Sequence, residues 1–225
     1  MRAKAVLITM LTALASITVN AQSPELLQRV PTSTNALILW NVERVLSSKM
    51  SQDAGWEEKY GKAYATGLAT VPPNAKFAIV ASEIDLQKWS SIWTLAAFDL
   101  TTNVNLAGIA KHYEGILDEI GGVKTVGLSK DAYVLQFGTQ QVAAYAPGNR
   151  QAIARWIRET QSPHEVSPYL QNAISRSKVS DIVQAFDLTD AIPAKVIDAK
   201  VARALRWWVG PRQRLIVSPA WYEHS

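Results

Sequence analysis

The chain has 225 residues, of which 48% are hydrophobic, with 23 basic and 19 acidic side chains and no cysteine. Such a length and apolar fraction suit one globular domain with an ordinary core, and the absence of cysteine excludes a disulfide framework, thiolate metal sites and cysteine nucleophiles. Without Arg2 and Lys4 the count is 21 basic against 19 acidic, a balance too even to argue for nucleic acid as a partner.

The N-terminus reads as an export signal. Arg2 and Lys4 precede an apolar run from Ala5 to Val19, and Val19-Asn20-Ala21 presents small or modest residues where a signal peptidase reads. The run is shorter than the roughly 20 residues a spanning helix needs, so residues 1–21 are expected to be a cleaved signal peptide. Residues 22–225 are then the mature domain, located in the periplasm or outside the cell.

Along that domain, Pro24 to Val30 predicts a short helix with Ser23 as its N-cap, stopped by Pro31. Ala36 to Val42 is a dense apolar run and predicts a buried strand. Helical segments follow at Glu43–Met50 and Trp56–Leu68, the second with Trp56, Tyr60, Tyr64 and Leu68 four apart on one face. Val71-Pro72-Pro73-Asn74 breaks the chain. Lys76–Ser82 and Trp89–Leu100 predict strands. In the latter, Trp89, Ser91, Trp93, Leu95 and Ala97 share a face. Asn105–Ile120 predicts a long helix with a stripe of Leu106, Ile109, Tyr113, Ile116, Leu117 and Ile120, capped by Gly121-Gly122. Three short strands follow at Lys124–Leu128, Ala132–Phe137 and Gln141–Ala146, joined tightly enough for antiparallel hairpins. Helices at Arg150–Glu159 and Tyr169–Ser177, a strand at Asp181–Leu188, a helix at Ala194–Val209 and a short strand at Leu215–Val217 complete the order. Clustered helices and strands point to a mixed α/β, α+β-like two-layer sandwich, a largely antiparallel sheet with helices packed on one face. A doubly wound parallel sheet is the alternative, and the three consecutive strands over 124–146 speak against it.

An internal echo runs through these elements. Ala97-Phe98-Asp99-Leu100-Thr101 recurs as Ala185-Phe186-Asp187-Leu188-Thr189, and Leu39-Trp40-Asn41-Val42 has a similar form. Each is a strand-to-helix junction in which a short polar side chain can accept from turning backbone N–H groups. A duplicated strand–helix unit and a coincidence of similar junctions both account for it.

Motifs of chemistry are few. Gly55 to Ala63 holds a Gly-Lys pair, but the spacing is wrong for a phosphate loop and Ala63 cannot ligate magnesium. His112, His164 and His224 are scattered, and His112, Glu114, Asp118 and Glu119 are expected on the solvated side of the 105–120 helix. No metal site and no cofactor is therefore expected. There is no Gly-x-Ser-x-Gly elbow; Ser129-Lys130-Asp131 reads as a turn. Carboxylates such as Glu83 with Asp85, or Asp187 with Asp190, are not placed across a cleft by sequence alone. The helix after Pro193 sets Ile197, Val201, Ala204, Leu205 and Trp208 opposite a basic side of Lys195, Lys200, Arg203 and Arg206. Such a helix lies on an anionic membrane surface or simply packs on a sheet and extends its cations into water. Arg150, Arg155 and Arg158 form a second basic helix. The chain holds eight tryptophans; Trp40 and Trp93 read as core.

Val30-Pro31 before a strand ending in Asn41-Val42, Gly55-Trp56, Arg155-Trp156-Ile157, Ser167-Pro168-Tyr169-Leu170 and Phe186-Asp187-Leu188 together resemble an uncharacterised family of exported bacterial proteins with strand–Asp/Asn–helix repeat units. The resemblance covers residues 26–68 and 156–200 and implies no activity, ligand or catalytic residue. Members of that family are longer, so it also implies that this chain stops short at Ala220-Trp221-Tyr222-Glu223-His224-Ser225. The sequence thus leads to two functional expectations: a non-catalytic binding or envelope-associated protein whose partner is an envelope or membrane surface, or a hydrolase acting on an extracellular polymer.

Overall fold

The computed structural model describes residues 24–66, 69–88 and 90–189. The signal segment, the 194–209 helix with Lys195, Lys200, Arg203 and Arg206, and the 215–217 strand lie outside the described residues. The elements run α1 (Pro24–Leu27), β1 (Ala36–Asn41), α2 (Val42–Ser47), α3 (Lys49–Asp53), α4 (Trp56–Ala65), β2 (Ala75–Asp85) and β3 (Ser90–Leu100). They continue with α5 (Leu106–His112), β4 (Ile116–Ile120), β5 (Val123–Leu128), β6 (Ala132–Gln136), β7 (Gln141–Ala146), α6 (Arg150–Glu159), α7 (Pro168–Arg176) and β8 (Ile182–Phe186).

The eight strands form one sheet in the order β4-β5-β6-β7-β3-β2-β1-β8, antiparallel at every pairing. After β3 the chain passes through α5 to the far edge, and the β4-β5-β6-β7 meander brings it back so that β7 pairs with β3. The α6–α7 segment then crosses to place β8 beside β1. An α/β sandwich on a largely antiparallel sheet is what the clustered elements predict, and this is the architecture found.

Helices cover both faces of the sheet, and not one face as the sequence predicts, because the central strands carry apolar side chains on both sides. On one face Leu26 and Val30 from the α1 segment, Ile153, Trp156 and Ile157 of α6 and Leu170 of α7 pack on Leu37, Leu39, Ile79, Leu95, Ala143 and Val183. On the other, Leu106 and Ala110 of α5 and Val42 of α2 pack on Ala78, Phe98, Val126 and Val142, with Trp40 and Tyr60 at the margin. Burial on both sides explains why β1 reads as a continuous apolar run rather than an alternating one. Caps fall where short polar residues stand. Asn41, Ser48, Asn105, Asn149 and Ser167 each accept a backbone N–H of the helix they precede, satisfying donors that the first turn leaves free.

The three echoed junctions have different surroundings. Asn41 caps α2. Asp187 accepts from the N–H and the hydroxyl of Thr189. Asp99 caps no helix, because the chain reaches α5 only after five further residues and Asn105 caps it there.

The largest correction concerns 105–120. It is not one helix: α5 ends at His112 and residues 116–120 form β4. Glu114 takes a left-handed φ of 52°, and a Cβ on Gly115 would stand 2.6 Å from Val126 Cγ1 and 2.8 Å from the Gly127 carbonyl oxygen. Close approach to β5 therefore redirects the chain. Gly121-Gly122 is no helix cap. With φ of 59° and 80° and Ile120 paired to Val123, it is a two-residue hairpin turn of the kind that favours two glycines. His112, Glu114, Asp118 and Glu119 consequently share no helix face.

Candidate functional site

β4 forms one edge of the sheet, fixed at its start by the close approach at Gly115 and at its end by the Gly-Gly turn. In a hairpin closed by two residues, the flanking pair Ile120 and Val123 exchanges backbone bonds and the next pair does not. The N–H and C=O groups of Leu117 and Glu119 therefore point off the sheet. Those of Glu119 are both engaged. Its N–H donates to Asp118 Oδ1 at 2.7 Å, and its carbonyl accepts from Arg150 Nη2 at 2.8 Å. A second Arg150 nitrogen pairs with the Asp118 carboxylate. The Glu119 N–H, and then Arg150, hold the Asp118 carboxyl below its ordinary range. Among the described residues the outward N–H and C=O of Leu117 have no partner.

Edge strands are usually blunted by charge, and here the Arg150–Asp118 pair does so for the second half of β4. The first half is apolar on both sides. Ile116 is 76% exposed and Leu117 59%. Tyr113, just before, is 48% exposed and stands edge-on to His112 with ring centroids 4.6 Å apart. From there the surface continues onto α4, which buries none of its residues fully. Burial first, and then Tyr113 nearby, raises the Tyr64 hydroxyl above its ordinary value. Tyr60 lies deeper. It donates to the Val71 carbonyl at 2.8 Å, packs edge-on against Trp40 at 5.8 Å, and burial pushes its hydroxyl up to about 12. Trp56 opens the helix at 40% exposure, beside an open depression lined by Leu46, Ser51, Gln52 and Glu57. Trp56, Tyr64, Tyr113, Leu117 and Ile116 thus make an apolar and aromatic ridge that runs from α4 to the β4 edge and turns over it, Leu117 facing the α5 side of the sheet and Ile116 the other. Exposed large apolar side chains grouped in this way mark interaction surfaces, whereas single ones do not.

A second, polar grouping lies on the α1 side. Asn41, Phe77, Asp99 and Gln141 are cross-strand neighbours in one row, so their side chains share a face. Gln141 Nε2 donates to Glu25 Oε2 at 3.0 Å. Burial, with help from Glu25 and against Lys76, raises the Asp99 carboxyl above its ordinary value. A carboxyl whose ionisation burial opposes, within electrostatic reach of a second carboxylate, is a feature that proton-transfer sites share.

Other sequence candidates are engaged in structural roles. Asp85 accepts from the N–H groups of Gln87 and Lys88 in the β2–β3 turn, while Glu83 accepts from Trp93 Nε1 at 2.8 Å. Asp131 accepts from the Gly148 N–H at 2.9 Å, consistent with a turn at 129–131. His164 lies against the Val30 carbonyl. Arg150, the first residue of α6, turns its side chain to β4. Among the described residues no three His, Asp or Glu side chains gather as a metal site would, and no helix is long and apolar enough to cross a membrane.

Sequence reasoning missed the ridge. Its only local signal was Gly-Gly between Ile120 and Val123, the mark of a hairpin, which makes Ile116 and Leu117 strand residues. No known protein family, curated protein or solved structure matches the chain.

Proposed function

We propose that this chain is an exported, non-catalytic binding domain that associates with the cell envelope through the ridge of Trp56, Tyr64, Tyr113, Ile116 and Leu117. The observation that carries the reading is the exposure of five large apolar side chains on α4 and around the β4 edge. Trp and Tyr suit such a role because they bring a broad apolar body with a polar tip at small cost in rotamer entropy. The sequence of residues 1–21 supports export. Purified protein mixed with isolated envelope fragments is expected to sediment with them, and the protein recovered from cells is expected to begin at Gln22. Failure to sediment, or an intact Met1 in the cytosol, overturns the proposal.

A hydrolase acting on an extracellular polymer is the second reading, and the Asp99–Glu25 grouping favours it. Asp99 as a proton donor beside a carboxylate predicts that Asp99→Asn abolishes turnover of the polymer without loss of fold. Turnover unaffected by Asp99→Asn removes this reading.

A further inference from the structure

We infer that the open half of β4 receives an extended segment of a partner protein by strand addition, with an apolar residue beside Leu117 and a basic residue beside Glu119. The inference rests on the ridge being a binding surface and names what one end of it binds. Three observations carry it. First, the outward N–H and C=O of Leu117 have no partner among the described residues, and together they are the pair of backbone groups that an added strand uses. Second, β4 is held ready: Gly115 and the Gly-Gly turn fix both its ends, so little ordering is needed on binding. Third, the side chains dictate the pattern. Alternation puts Leu117 and Glu119 on the α5 side of the sheet and Ile116 and Asp118 on the α6 side, where Asp118 meets Arg150. The Glu119 side chain is exposed and forms no ion pair among the described residues, although Lys124 is its neighbour on β5. An incoming strand therefore finds an apolar position and, two residues on, an acidic one. A second copy of β4 is the poorer occupant. The antiparallel register that matches all five residues sets Asp118 against Asp118 and Leu117 against Glu119, and like charges directly opposite are unfavourable.

Arg150 stands at the boundary. Its hydrogen bond to the Glu119 carbonyl occupies the acceptor that the next partner N–H needs, so full pairing displaces it. Removing that side chain should extend the site.

The test uses the full chain and two labelled, end-blocked peptides, Thr-Lys-Thr-Val-Thr-Thr, which in antiparallel register sets Lys beside Glu119 and Val beside Leu117, and the same peptide with Glu in place of Lys. The Lys peptide is expected to bind about fivefold more tightly than the Glu peptide, the size of a favourable cross-strand pair, and Glu119→Lys should reverse the order. Binding should slow exchange of the Leu117 amide about tenfold. Leu117→Pro removes an outward N–H that the β4–β5 ladder does not use, so it should abolish binding at unchanged melting temperature, while Arg150→Ala should strengthen it. Equal or absent binding of both peptides overturns the inference. So does a Leu117 amide protected in the free chain at every concentration, which would mean that another part of this chain covers the edge. Protection that grows with protein concentration also overturns it, in favour of self-pairing. Sedimentation with envelope fragments that persists through these failures leaves the ridge intact as a binding surface and rejects strand addition alone.

Discussion

On the α6 side of the sheet, Trp156 stacks on Tyr145 at 5.5 Å, meets Phe137 edge-on at 5.3 Å and donates its indole N–H to the Arg29 carbonyl at 2.8 Å. Trp93 also stacks on Tyr145, at 5.8 Å, and the Arg29 guanidinium lies over Phe137 at 4.3 Å. On the opposite side, α4 has the same length as α6 and three aromatic residues to its one, yet only Tyr60 reaches inward. Two helices of ten residues thus do different work. α6 buries Ile153, Trp156 and Ile157, whereas α4 buries nothing completely and leaves Trp56 and Tyr64 facing water. Aromatic content alone does not distinguish a core from a contact surface; what decides it is whether a second layer closes over the rings.

The contrast can be broken by substitution. Trp156→Ala should have the largest effect, a loss of about 3–5 kcal/mol in stability by urea unfolding, as for other buried aromatic truncations. It also leaves the Arg29 carbonyl without its donor. A loss below about 1 kcal/mol, the level of an ordinary surface change, would show that the α6 side is no more closed than the α4 side. Gly115→Val should come next, at about 1–3 kcal/mol, because the new side chain collides with Val126 and with backbone at Gly127 and overpacks the site. Hydrogen exchange should then rise in β4 and β5 while α6 stays protected.

Asp99→Asn sharpens the picture of the α1 side. Burial raises the folded-state pKa of this carboxyl, so the fold favours its neutral form. At a pH above the folded value the charge opposes folding, and below the unfolded value that opposition is gone. The substitution should raise the melting temperature at pH 7 and lose that gain as the pH falls through the acidic range. An equal gain at both ends would reject the burial account. Smallest of all, Trp56→Ala, Tyr64→Ala and Tyr113→Ala should each change stability by no more than about 0.5 kcal/mol, the level of unengaged surface positions.

Much of the framework was legible before the structure. The run at Ala36–Val42, the period-two spacing from Trp93 to Ala97 and the short links through 124–146 specify β1, β3 and the hairpins of β5, β6 and β7. Asn149 and Pro168 mark where α6 and α7 begin. The segment 105–120 was not legible because its apolar residues satisfy a helical period by accident. Leu106 and Ala110 belong to a helix and Ile120 to a strand, and the break between them is imposed by Gly115 against β5, a contact 11 residues distant in sequence. Local periodicity carries no record of such a contact. The ridge was illegible for a related reason: a stripe of Trp56, Tyr60 and Tyr64 reads as a core face, and only the fold reveals that Tyr60 alone is covered. Asp99 was visible as part of a repeated junction, but its burial beside Glu25 depends on where α1 docks.

The most direct test of the account compares envelope binding of the wild-type chain with that of the triple variant Trp56→Ala, Tyr64→Ala, Tyr113→Ala, alongside Arg158→Ala as an exposed control from α6. Binding by the triple variant should fall at least about tenfold, as when aromatic anchors are removed from an interface, with wild-type unfolding behaviour and an unaltered control. Undiminished binding by a correctly folded triple variant would contradict the assignment of recognition to the open side of the sheet.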